Sequence, residues 1–288
     1  MYKLIAIDLD GTLLNSYGEI SNKNKEAIKY AMHKGTKVIL ASGRDMQTMK
    51  KFSLELGIDD FLIAGNGACV FDIQKNENIY ESFVPKEKAL QIIKVCKENS
   101  IFFNIYTNVG IITESLNYNV KVFHNENNFR PDDKRTNILI VNDIREYVEN
   151  NNLKILKIII CDENQIIFNN IITKLKEIED VEVLDVEHMS RKIIRIGTEE
   201  HVIEYFYTEV TNANTNKWSA LKFLAQKLGI QEDEIVCIGD NMNDYEMVKN
   251  SGLGITMKNS ALEKQNIADY VTEDHNSDGV GNAIYKFI

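Results

Sequence analysis

Proline is nearly absent from these 288 residues: there are two, beside fifteen glycines, which leaves little room for long flexible linkers. The four cysteines, Cys69, Cys96, Cys161 and Cys237, are far apart and form no C-x-x-C pair, which excludes a zinc ribbon and a thioredoxin-like pair. Buried free thiols in a reducing compartment are the expectation. Five histidines without ligand spacing give no zinc site. No G-x-x-x-x-G-K-[ST] run occurs, which removes a P-loop nucleotide site. No spanning segment is present, and the apolar run before Asp8 is too short for a signal peptide. Positive charge is short as well. Forty-three acidic residues outweigh 33 basic ones for a formal charge of −10, against a sequence-independent grip on nucleic acid. What is present is ordinary globular material, 44% hydrophobic and 26% charged, at a length of about two domains. A cytoplasmic protein that touches neither membrane nor nucleic acid is expected, a monomer or weak homo-oligomer.

Strands and helices alternate from the start. Leu4 to Ile7 is a continuous apolar run, as in a strand covered on both faces. Ser21 can cap a helix carrying Ala27, Ile28, Ala31 and Met32. Val38 to Ala41 reads as a second strand, followed by Ser42-Gly43-Arg44 and a helix ending near Gly57; Phe61 to Ala64 reads as a third. This βαβαβ rhythm predicts a doubly wound parallel sheet. After Pro85 the rhythm changes. Strands are expected over 102–106, 110–113, 155–160, 181–186, 192–196 and 205–210, interspersed with helical and polar segments, which suggests an α+β module. From Lys217 the first rhythm returns, with a helix, a strand over Ile235 to Ile238, a helix from about Asn243, a strand over 253–257 and a capping box at Ser260 to Glu263. The chain therefore reads as an α/β core, 1–84 and 212–288, interrupted by an inserted domain over 85–211.

Chemistry gathers at the strand ends. Asp8-Leu9-Asp10-Gly11-Thr12 follows the first strand, at the crevice where open α/β sheets bind ligands. Repulsion between two such carboxylates is relieved by a hard divalent cation, and Mg2+ prefers one or two carboxylates with phosphate and water. Ser42, at the second strand end and opening a helix, places a hydroxyl beside free N–H groups, which suits a phosphate oxygen as well as a plain helix cap. Lys217 stands just before a helix, where a solvated charge is the bland alternative. Gly239-Asp240-Asn241-Met242-Asn243-Asp244 adds two carboxylates four residues apart after another strand, in a pattern that also suits a turn with a helix cap. In conjunction the four clusters suit a cation, an aspartate nucleophile and a phosphoryl cradle.

Their order and spacing resemble the haloacid dehalogenase superfamily of phosphohydrolases. Asp-x-Asp-Gly-Thr, the serine, the lysine and Gly-Asp-x-x-Asn-Asp all have counterparts here, nearly end to end outside the insertion. Asn66-Gly67-Ala68, Asn259-Ser260-Ala261, Ala268 to Thr272 and Asp278-Gly279-Val280 resemble the Cof-type (IIB) branch. Trp218 after the lysine and Lys258 before Asn259 stand where that branch commonly has glycine; Trp218 is thereby a candidate to crowd or line the phosphate entrance. Thirty-two positions separate Asp10 from Ser42, too few for a further domain, whereas 175 separate Ser42 from Lys217. That placement is similar to members with a C2B α/β cap.

The resemblance implies the roles. Asp8 attacks phosphorus and Asp10 serves as general acid and then general base. Ser42, Gly43, Lys217 and Leu9 hold the phosphate. Asp8, the Asp10 backbone carbonyl and Asp240 hold Mg2+, with Asn243, Asp244, Thr12 and Arg44 in support. The substrate is a small phosphorylated metabolite, a sugar or cofactor phosphate, over which the cap would close. His124, His188, Arg130 and Arg191 are the cap's candidates for sugar or phosphate contacts, with a solvated surface as the bland alternative for each. A phosphomannomutase-like transferase is the nearest rival. A non-catalytic sugar-phosphate sensor would predict loss of Asp8 or Asp10, and both are present.

Overall fold

The computed structural model describes residues 2–44, 46–132, 135–184, 189–196 and 199–288. The chain divides into two compact units, Met1–Ser82 with Thr215–Ile288, and Phe83–Asn214.

The first unit begins with β1 (Leu4–Ile7), α1 (Asn22–His33), β2 (Lys37–Ala41), α2 (Met46–Leu56), β3 (Phe61–Ala64), β4 (Cys69–Asp72) and β5 (Glu77–Glu81). The second runs through α3 (Lys86–Glu98), β6 (Phe102–Thr107), β7 (Gly110–Thr113), α4 (Tyr118–Asn127), β8 (Ile138–Ile140), α5 (Ile144–Asn150), β9 (Ile155–Asp162), α6 (Gln165–Leu175), β10 (Val181–Val183), β11 (Ser190–Ile196) and β12 (Glu199–Asn212). The chain then returns to the first unit with α7 (Lys217–Leu228), β13 (Ile235–Gly239), α8 (Tyr245–Asn250), β14 (Leu253–Met257), α9 (Leu262–Gln265), β15 (Tyr270–Thr272) and α10 (Gly279–Phe287).

In the first unit the strand order is β15-β14-β13-β1-β2-β3-β4-β5, parallel from β15 to β3 and antiparallel through β4 and β5. Leu4 to Ile7 are all fully buried, as an apolar run covered on both faces requires. Leu4 and Ala6 join a cluster with Leu221, Leu224, Ala225 and Met247 from α7 and α8. The order reverses at β1, which has β2 on one side and β13 on the other, the switch point at which an open α/β sheet leaves a crevice. Ile7 pairs with both Leu40 and Ile238, so these three strands end nearly level.

The second unit is an α+β module built on a sheet of order β10-β12-β9-β6-β7-β8, with β11 paired to β12. Its strands are antiparallel except for β7 beside β8. Alternation along the strands separates two faces. Phe103, Ile105, Ile158 and Ile160 pack with Ile92, Ile93 and Cys96 of α3, Ile144 and Val148 of α5, and Ile171 and Leu175 of α6. Ile159, Cys161 and Tyr205 face the other way, with Phe102, Tyr106 and Tyr118.

Most of the expected strands and helices form, β4, β5, β8 and β15 form as well, and two local expectations fail. The strand expected over 181–186 runs over Val181–Val183, and Asp185 and Val186 lie outside the described residues. Ser260 does not cap a helix: its hydroxyl pairs with Thr256 Oγ1 at 2.8 Å, and α9 starts at Leu262 without a side-chain cap. β5 is polar and mostly exposed, so no alternation announced it. All four cysteines are free and buried. Burial pushes the Cys237 thiol up to about 12. Among the described residues no helix is long and apolar enough to cross a membrane.

Candidate active site

The loops after β1, β2 and β13 leave the sheet side by side and carry Asp8, Ser42 and Asp240. Asp8 is 4% exposed, and its N–H donates to the Ile238 carbonyl at 3.0 Å, anchoring one loop to the next strand. Lys217 is the first residue of α7, which Asn216 opens through a reciprocal cap with Ser219. The lysine is fully buried, and its Nζ donates to Asp8 Oδ1 at 2.5 Å and to Asp244 Oδ1 at 2.6 Å. It is a solvated charge in no sense. Asp244 Oδ2 accepts the N–H groups of Asp240 and Asn241, each at 3.0 Å, which folds the loop after β13 around its own carboxylate. Thr12, also fully buried, donates from Oγ1 to Asp240 Oδ1 at 3.1 Å.

Asp8, Asp240 and Asp244 each bring a carboxylate oxygen within 4.8 Å of the others. Three carboxylates thus gather beside one ammonium group that pairs with two of them, and the imbalance shows in their protonation. Burial and the neighbouring Asp244 push Asp8 up to about 7, against the pull of Lys217. Burial and Asp244 likewise push Asp240 up to about 6. Burial alone would lower the Lys217 pKa, but Asp244 and Asp8 outweigh it and hold the ammonium above its usual value. A hard divalent cation fits this set: oxygen donors only, an unbalanced negative charge, and partial dehydration. Asp244 gives both its oxygens to Lys217 and the loop amides, so Asp8 and Asp240 are the better placed ligands.

Asp10 stands apart from this cluster. Its carboxylate is paired side-on with Arg44, Nε to Oδ2 at 2.7 Å and Nη2 to Oδ1 at 2.5 Å, and its side chain is 60% exposed. Ser42 is 1% exposed and its Oγ accepts the Arg44 N–H at 3.3 Å, which leaves the hydroxyl proton to be donated elsewhere. Leu9 is buried, and its carbonyl turns the first loop by accepting the N–H groups of Thr12, Leu13 and Leu14. Gly43 lies against the Asn66 side chain, and Asn243 Nδ2 donates to Asn66 Oδ1 at 2.9 Å. Trp218 does not line an entrance. It is packed in the hydrophobic cluster with Ile63, Val70 and Leu221. In the inserted unit, Arg130 pairs with Glu126 and Arg191 with Glu204, while His124 is exposed. His188 lies outside the described residues.

Gly11 answers to two constraints at once. Its φ is +78°, and a Cβ there would overlap the carboxylate of Asp240. Gly11→Ala should therefore cost about 1–3 kcal/mol of stability and push Asp240 out of place. Thermal unfolding with and without Mg2+ checks this: the variant should gain less from the ion than the native chain does.

A chain with this sheet, this switch point and this buried Asp–Lys–Asp arrangement is matched over residues 5–284 by the profile of haloacid dehalogenase-like hydrolases. The chain belongs to that family and is a hydrolase. Among its relatives, phosphatase YwpJ of Bacillus subtilis is 28% identical, over 97% of this chain and 98% of its own. The 5-amino-6-(5-phospho-D-ribitylamino)uracil phosphatase YcsE of the same organism is 27% identical, over 99% and 96%. A crystal structure of a haloacid dehalogenase-like hydrolase from Bacteroides thetaiotaomicron superposes with a TM-score of 0.77 at 25% identity, covering 100% of both chains.

Proposed function

We propose that the protein is a Mg2+-dependent phosphatase that hydrolyses small phosphomonoesters through an aspartyl-phosphate on Asp8. The observation that carries this reading is the buried Lys217 bridging Asp8 and Asp244 beside Asp240. An Asp8 oxygen attacks phosphorus as the ester oxygen departs with its bonding electrons and takes a proton from Asp10. Asp10 then removes a proton from water, which attacks the same phosphorus and returns Asp8 as a carboxylate with release of inorganic phosphate. The ion pair with Arg44 has to open for either proton transfer. Ser42, Gly43 and Leu9 offer a hydroxyl and N–H groups to the phosphoryl oxygens, and Lys217 offsets their charge next to Asp8. Asp8 and Asp240, with the Asp10 backbone carbonyl, would hold Mg2+, which supplies positive charge to the phosphoryl oxygens in the transition state. Asp244 keeps Lys217 and the Asp240 loop in register. Four free buried thiols fit a reducing compartment, and we place the enzyme in the cytoplasm.

The test is phosphate release from a panel of sugar phosphates, pyridoxal phosphate, flavin mononucleotide, 5-amino-6-(5-phospho-D-ribitylamino)uracil and p-nitrophenyl phosphate. Turnover should vanish on removal of Mg2+; an isomerised product with a need for a bisphosphate would instead mark a mutase. The ion should also raise the melting temperature, since it binds the folded chain alone. It competes with protons on Asp8, at about 7, and Asp240, at about 6, so the increment should grow from pH 6 to pH 8. A melting temperature indifferent to Mg2+ across that range would sink the metal assignment.

A further inference from the structure

Asn66 occupies the middle of three consecutive residues with positive φ, Gly65 at +61°, Asn66 at +56° and Gly67 at +95°. Glycine would take this backbone with less strain than any residue bearing a Cβ. What asparagine adds at this point is its side chain. Its amide lies flat against the second loop, for a Cβ on Gly43 would come 2.8 Å from Asn66 Oδ1 and 3.1 Å from Nδ2. The same Oδ1 accepts from Asn243 Nδ2 at 2.9 Å, across 177 positions of sequence, and so reaches the loop after β13.

The backbone of the turn completes the set. The Asn66 N–H donates to the Ser42 carbonyl at 3.0 Å and the Gly65 N–H to the Arg44 carbonyl at 3.0 Å. A Cβ on Gly67 would overlap the carbonyl of Asn216, the residue that caps α7 immediately before Lys217. One three-residue turn thus touches the loop of Ser42, the loop of Asp240 to Asp244, and the helix start that carries Lys217.

We infer that Asn66 is a positioning residue for phosphate binding: its side chain fixes the Ser42–Gly43 loop relative to the loop of Asn243. This rests on the phosphatase reading above and deepens it. Loss of the amide removes no group of that site but frees the two loops to drift apart, so affinity for the phosphoryl group falls before turnover does.

The experiment compares the native chain with Asn66→Gly, Asn243→Ala and the double variant. It reads the Kd for inorganic phosphate by calorimetry with Mg2+ present, and KM and kcat for p-nitrophenyl phosphate. Asn66→Gly should raise Kd and KM about three- to tenfold, the scale of one neutral hydrogen bond, and change kcat by less than about twofold. Its melting temperature should hold or rise, because glycine relieves the strain. The double variant should be no weaker than the worse single variant, as for two halves of one contact. Unchanged Kd and KM in Asn66→Gly, or single effects that multiply in the double variant, overturn the inference. Phosphate binding is read without turnover, so a native chain that binds phosphate yet releases none from esters defeats the phosphatase reading and leaves the Asn66 comparison standing.

Discussion

Asp8→Asn should abolish phosphate release, by a factor of at least about 10⁴, and yet leave the metal-free protein at pH 8 as stable as the native chain or more so. The activity half follows from the proposed nucleophile. The stability half follows from the site's charge. In the folded chain Asp8 keeps its proton up to about pH 7, whereas in an unfolded chain it would lose it near 3.8. Between those values the folded state binds the extra proton, so stability falls as pH rises through the window and stays low above it. The amide is a neutral shape-match that still offers an oxygen to Lys217. Its advantage in melting temperature should be largest at pH 8, where the native carboxylate is ionised beside Asp244, and should shrink towards pH 5. With Mg2+ present the order should reverse, because on the proposed assignment the native chain gains the ion and the variant loses a ligand. Denaturation scans at both pH values, with and without the ion, check all four corners. A variant less stable than the native chain at pH 8 without metal would contradict the assigned frustration.

β1, β2, β3 and β13 were legible because each is an unbroken apolar run, and such a run has one stable home, a strand buried on both faces. The positions of Asp8, Ser42 and Asp240 at those strand ends came with them. Lys217 was ambiguous, since a lysine before a helix is commonly solvated; only tertiary packing shows that this one has no access to water. Asn66 was present as a short pattern, but its meaning lies in a left-handed backbone and a partner 177 positions away, neither of which has local signal. Trp218 lies in the core and not at a phosphate entrance. It shares a helical stripe with Leu221 and Ala225, spaced three and seven positions on, and that periodicity already pointed into the core. Ser260 fits a capping pattern, yet its hydroxyl finds Thr256 four residues back, a contact that competes with the cap. The sequence pattern places the groups; the structure decides which of them share a charge.

Lys217→Met should be the most damaging single change in stability. Its ammonium lies at 0% exposure between two carboxylates that are themselves 4% and 1% exposed. Removing one partner of a buried ion pair costs about 3–5 kcal/mol, because the remaining charges are left desolvated and unpaired. Here two acids lose their shared cation, and methionine restores the volume but not the charge. Since Lys217 also lowers the pKa of Asp8, its loss raises that value beyond about 7, and the stability deficit should ease on acidification as Asp8 takes up a proton. Lys217→Arg keeps the charge, but a planar fork cannot take the place of a compact ammonium lodged 2.5 Å and 2.6 Å from its acceptors, so it should recover little. Mg2+ gives the decisive reading. An ion held by Asp8 and Asp240 supplies part of the missing positive charge, so Lys217→Met should gain more melting temperature from Mg2+ than the native chain gains, while phosphate release stays lost. Equal gains in both would mean that the lysine and the metal answer to different charges, and that Lys217 belongs to the architecture of α7 alone.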